Sequence, residues 1–156
     1  MKIATVKELK SELGTCSQPE LVELCLSLSK FKKENKELLT YLLYEADDEK
    51  AFIEGVKNEV DKLFEQINTT SYYFIKKSVR KILRMIKKYI RYSKKKETEV
   101  ELLIDFCNKL KSMTPSIDRN VTLQNIYYRQ IIAIKKAAST LHEDLQFDYL
   151  MELGED

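Results

Sequence analysis

Tyr72-Tyr73-Phe74-Ile75-Lys76-Lys77-Ser78-Val79-Arg80-Lys81-Ile82-Leu83-Arg84-Met85-Ile86-Lys87-Lys88-Tyr89-Ile90-Arg91-Tyr92 has one regular reading. Ile75, Val79, Ile82, Leu83, Ile86 and Ile90 recur at the three- and four-residue spacing of a helix face. At about 100° per residue, Lys76, Arg80, Arg84, Lys87 and Arg91 fall on the opposite side, joined by Lys77, Lys81 and Lys88. The pattern predicts a helix over about 72–92 with one apolar stripe and a wide basic arc.

The same periodicity extends in both directions. Thr5 and Glu8 have capping-box spacing before a short helix over about 6–13, and Gly14 is placed to supply a left-handed stop. Ser17 and Glu20 repeat that spacing, with Pro19 in the first turn and Leu21, Leu24, Cys25 and Leu28 as the following stripe. A third helix is predicted over about 35–46, with Leu38, Leu39, Leu42 and Leu43 on its apolar face. A fourth is predicted over about 49–67, with Phe52, Ile53, Val56, Val60, Leu63, Phe64 and Ile67 inward. Thr98 and Glu101 give a third capping-box spacing, ahead of Val100, Leu103, Ile104, Cys107 and Leu110. Thr114-Pro115-Ser116 reads as a loop, because Pro disfavours helix at the residue before it. A seventh helix is expected over about 122–141 and a terminal one ending near Gly154. No segment reads as a strand.

Composition agrees. Three Gly and two Pro in 156 residues is far below average usage of about 7% and 5%. That disfavours a turn-rich sandwich or barrel and excludes a glycine-rich phosphate loop. The length suits one domain over 1–156, able to bury roughly 70% of its unfolded surface. The expected fold is therefore all-α, an antiparallel helical bundle of about seven to eight helices. Ser29–Leu43 also aligns without gaps on Ser93–Cys107, with six of fifteen positions identical. Two similar units stacked in a HEAT-like, solenoid-like manner would produce this; so would the abundance of Lys, Glu and Leu alone.

The net charge of +2 conceals an uneven distribution. Residues 1–68 carry 10 basic and 14 acidic side chains, net −4. Residues 69–96 carry 11 basic and no acidic ones, net +11, and residues 97–156 carry 6 and 11, net −5. Like charges at helical spacing repel, so the basic arc needs compensation. Three sources are open at this point: the chain's own acidic flanks, nucleic-acid phosphates with Tyr72, Tyr73, Tyr89 or Tyr92 stacking on bases, or an acidic protein or membrane surface. A membrane role would need the apolar stripe free, and the bundle needs it for the core. The candidate anion- or partner-binding residues are Lys76, Lys77, Arg80, Lys81, Arg84, Lys87, Lys88 and Arg91.

Catalytic chemistry is poorly provided for. His142 is the only histidine, CxxC and HExxH are missing, and Ser139 stands where a Glu-x-x-His motif would need its acid. Cys16, Cys25 and Cys107 form no disulfide framework, and Cys25 and Cys107 read as small apolar residues. No catalytic residue, metal or cofactor is assigned. Unpaired thiols fit a reducing cytosol, and the opening Met1-Lys2-Ile3-Ala4-Thr5 leads into charged residues, so the expected location is the cytoplasm. The expected role is a non-catalytic helical interaction module for a protein partner, with nucleic acid as the alternative and no membrane span. Crowding of Ile131, Ile132 and Ile134 raises a homodimer as a further option.

Two resemblances bear on this. Thr5-Val6-Lys7-Glu8-Leu9-Lys10 with Pro19-Glu20-Leu21-Val22 is similar to the SAP-type DNA-binding hairpin, but the segment between Leu13 and Leu21 is too short and the basic loop is missing. Over most of the chain, Lys30–Leu43, Lys76–Leu83 and Thr98–Leu103 resemble a small family of uncharacterised, cytoplasmic, all-helical proteins found mainly in Bacteroidetes-type bacteria. That resemblance implies a helical fold and no activity, cofactor or site residue.

Overall fold

Eight α-helices account for the regular structure of the computed structural model, which describes residues 1–154, and no strand occurs among them. The chain forms two compact units, Met1–Tyr44 and Glu45–Asp156.

The first unit starts from two reciprocal caps. Before α1 (Val6–Leu13), Thr5 Oγ1 accepts the Glu8 N–H at 3.2 Å and Glu8 accepts the Thr5 N–H at 2.8 Å. Before α2 (Gln18–Phe31), Ser17 and Glu20 do the same at 3.3 and 3.0 Å. The Ser17 N–H and hydroxyl hold the Glu20 carboxyl below its ordinary value, because hydrogen bonds to the charged form favour it. Gly14 closes α1 with φ −64°, an ordinary right-handed conformation and not the expected left-handed stop. Lys32 alone separates α2 from α3 (Lys33–Thr40), in extended conformation. Asn35 Nδ2 ties the two helices by donating to the Leu28 carbonyl at 2.8 Å. The helix predicted to run unbroken to 46 instead widens into a π-helical turn over Tyr41–Glu45, and Tyr41 is buried. Such a turn shifts the helix face out of α register.

The second unit is organised around α6 (Lys96–Lys111). Val100, Leu102, Leu103, Ile104, Phe106, Cys107 and Leu110 are each at most 2% exposed. Three of these are consecutive, so the buried side chains spread over an arc of about 240° at 100° per residue; the strip of Glu97, Glu101, Asp105 and Asn108 is left polar and in part exposed. Around it stand α4 (Glu49–Glu65), α5 (Tyr72–Ser93), α7 (Val121–Ala138) and α8 (Glu143–Glu152). Each fully buried Leu, Ile or Phe contributes about 1.5–3 kcal/mol by removal from water. Phe64 of α4 packs against Phe106 with ring centres 5.9 Å apart. Lys109 bridges α6 to α4 by pairing with Asp61 at 2.7 Å and with Asp105. Tyr149 anchors α8 by donating to Glu101 at 3.4 Å. Burial, then the nearby Glu101 and Glu97 carboxylates, push its phenol up to about 12.

Glu49, in the first turn of α4, fixes the α5–α6 junction. Its Oε1 accepts from the Ser93 hydroxyl, and from the Thr98 hydroxyl at 2.7 Å, while Lys95 lies 3.7 Å from its other oxygen. This corrects the reading of Thr98 as a helix cap. Thr98 is fully buried inside α6, which starts at Lys96 without a side-chain cap, and its hydroxyl is engaged by α4. The turn itself places Lys94 at φ 61°, where its N–H reaches the Ile90 carbonyl at 2.9 Å.

Two expectations follow. Glu49→Ala leaves two buried hydroxyls short of an acceptor and should lower unfolding free energy by about 2–3 kcal/mol, with part restored when Thr98→Val is added; urea denaturation reads both. Lys94→Gly removes a left-handed conformation that costs a side chain about 1 kcal/mol, and should raise the urea midpoint without changing the slope.

Candidate functional site

The basic arc exists because α5 is held by one stripe only. Ile75, Val79, Ile82 and Ile86 are buried, with Leu83 and Ile90 half-buried beside them. This is the predicted apolar face. At about 100° per residue the eight predicted cations occupy an arc of about 140° centred opposite that stripe, and at 1.5 Å per residue they extend along about 22 Å of helix. Lys77, Arg80, Lys81, Arg84, Lys87 and Arg91 are exposed; Lys76 and Lys88 are half-buried. Lys88 lies 5.7 Å from the centre of the Tyr89 ring.

Acidic neighbours do not neutralise this arc. Among the described residues, Lys76, Lys77, Arg80, Lys81, Arg84, Lys87 and Arg91 make no ion pair and no side-chain hydrogen bond. Several carboxylates of the second unit pair with other lysines: Glu54 with Lys57, Glu99 with Lys96, and Asp61 and Asp105 with Lys109.

The four tyrosines considered for base stacking are not equivalent. Tyr72 is half-buried, its hydroxyl donating to the Ser116 carbonyl at 2.8 Å. Tyr89 packs edge-on against Phe52 and donates to Glu59 at 3.3 Å. Tyr92 is buried. Tyr73 alone is exposed, at 65%, with Phe74 edge-on to it at 5.4 Å. With Lys76, Lys77, Arg80 and Arg84 it lines a depression of about 360 Å³.

A second surface went unrecognised in the sequence. In the first unit only Ser29 and Tyr41 are buried. Leu28, Phe31, Leu42 and Leu43 are 63%, 77%, 56% and 64% exposed. Between α2 and α3 lies a cleft of about 200 Å³ lined by Cys25, Leu28, Ser29, Asn35, Leu38, Leu39 and Leu42. Cys25, read as a small core residue, is exposed at this cleft; Cys107 has the buried role expected of it. The available signal was the 64-residue similarity, which pairs these positions with the C-terminal end of α5 and with α6.

The remaining candidates are soon placed. His142 caps α8, its Nδ1 accepting the Asp144 N–H at 3.2 Å. Ile131 and Ile134 are buried, and Ile132 is exposed on the same face of α7 as Val121 and Tyr128. Another depression, of about 610 Å³, is lined by Glu49, Ile53, Lys95, Lys96, Thr98, Glu101 and Leu141 among others. Its Glu49 already serves the α5–α6 junction. Among the described residues, no three or more His, Cys, Asp or Glu side chains gather in a way that could hold a metal ion, and no helix is long and apolar enough to cross a membrane.

No protein-family model, curated protein or solved structure matches the chain.

Burial pushes the Cys107 thiol up to about 12, and the thiolate is the reactive form. With Ellman's reagent at pH 8, the native protein should lose its fastest phase in Cys25→Ser, the half-buried Cys16 reacting more slowly. One thiol, lost in Cys107→Ala, should appear only on unfolding.

Proposed function

We propose that the chain is a non-catalytic helical interaction module whose first 44 residues dock a partner protein. One observation carries this reading. The pattern of α3 and its π turn recurs 64 residues later in α6, and the two copies differ in cover. Leu102, Leu103, Phe106 and Cys107 are at most 2% exposed, whereas their counterparts Leu38 and Leu39 are half-buried and Leu42 and Leu43 largely exposed. The same holds one helix earlier: Ile86 is fully buried and its counterpart Val22 is 50% exposed.

Contiguous apolar surface of this kind marks an interaction site. The cleft between α2 and α3 suits the apolar face of an amphipathic helix, which reads such grooves through side chains three and four residues apart. Covering Leu28, Leu42 and Leu43 on binding would remove them from water much as the second unit removes their counterparts. The docked surface carries few charges, so its occupancy should depend little on salt.

The test uses Leu28→Glu/Leu42→Glu/Leu43→Glu in the full chain, checked for unchanged helicity. Proteins retained by the wild type at about 0.5 M salt, where the Debye length falls toward about 3–5 Å, should be lost from the variant. Cys25 should label more slowly in the complex. Light scattering shows whether the partner is a second copy. Equal capture by the variant, or Cys25 labelling unchanged in the complex, overturns the reading.

A further inference from the structure

We infer that the basic arc of α5, with Tyr73 at its N-terminal end, binds single-stranded nucleic acid. The assignment is independent of the docking surface on the first unit and rests on different residues.

The charge is the first argument. Seven of the eight cations have no protein partner among the described residues, and they crowd one another at helical spacing, where like charges repel. A ligand that neutralises them gains both attraction and relief of that repulsion. The cations recur every three or four residues, about 4.5–6 Å along the axis, so they form a line and not a pocket for one anion. A phosphodiester chain is a polyanion of that shape, and its binding is further favoured by counterion release.

The aromatic ring is the second. Tyr73 lies three residues before Lys76, which sets its direction at the middle of the basic arc at about 100° per residue. Its hydroxyl has no partner among the described residues and its ring is exposed beside Lys76, Lys77, Arg80 and Arg84. A positive track with an open aromatic platform is how single strands are held without sequence preference, since every base has a face to stack.

The alternatives fit less well. A membrane surface would need an apolar face along the same helix to enter the lipid boundary; Ile75, Val79 and Ile86 are fully buried, and Tyr73 and Phe74 are exposed only at its N-terminal end. In a duplex the bases are already stacked and offer Tyr73 nothing. An acidic polypeptide would use the charges and leave the ring idle.

The experiment is fluorescence anisotropy with the full chain and a labelled random-sequence 20-nucleotide strand, as RNA and as DNA. The same DNA as a duplex, poly-glutamate and phosphatidylserine vesicles serve as competitors. Binding of a strand of either sugar supports the assignment, with log affinity falling by about 0.7 per phosphate contact per decade of salt. Arg80→Gln/Arg84→Gln should weaken binding at least tenfold and flatten the salt slope. Tyr73→Ala should weaken it about tenfold with the slope unchanged, and Tyr73→Phe, which keeps the ring face, should bind like wild type. All these positions are exposed, and circular dichroism checks that the fold is kept. The inference fails on any of four results: no binding at 50 mM salt, a duplex bound as tightly as the strand, competition by poly-glutamate or vesicles as strong as by the strand itself, or no effect of Tyr73→Ala.

Discussion

The second unit depends on one helix whose buried arc covers about two thirds of its circumference. Because Leu102, Leu103 and Ile104 are adjacent, α6 meets water only along the strip of Glu97, Glu101, Asp105 and Asn108, and four helices pack around the rest. That requirement decides what the others may do. Each covering helix gives up one stripe to α6 and its neighbours and keeps the rest. In α5 the surrendered stripe is narrow, so a broad arc remains on which basic residues carry no burial penalty.

Polar links then set where the covering helices stop and turn. Glu49 gathers Ser93, Thr98 and Lys95, which fixes the end of α5 against the start of α6. Lys109 gathers Asp61 and Asp105, which joins α6 to α4. The first unit shows the converse. A closely similar run of residues, without four helices around it, leaves its leucines in contact with water.

Much of the helical architecture was legible because its causes are local. Two capping boxes, the stripe of α5 and the all-α class rest on contacts within one turn or on a repeating period. What escaped were features set by distant residues. Thr98 has the spacing of a cap, yet a carboxylate 49 residues away takes its hydroxyl. Leu102 and Phe106 fell outside the single stripe assumed for α6, because one-face periodicity is the wrong template for a central helix. Cys25 lies on a helical apolar stripe just as Cys107 does, and no local rule tells which of two such stripes will be covered.

By itself, then, the sequence determined the helices, the segregation of eleven basic residues into one segment, and the side of α5 on which eight of them lie. These follow from short-range sterics, hydrogen bonding and the geometry of 3.6 residues per turn. Only the tertiary structure decided that seven of the arc's eight cations are unpaired among the described residues, that Tyr73 and not Tyr72, Tyr89 or Tyr92 stands open beside them, and that one leucine-rich pattern is buried while its counterpart is more exposed. Pairing and burial are properties of neighbours, and neighbours far apart in the chain are chosen by packing, which no period in the sequence records.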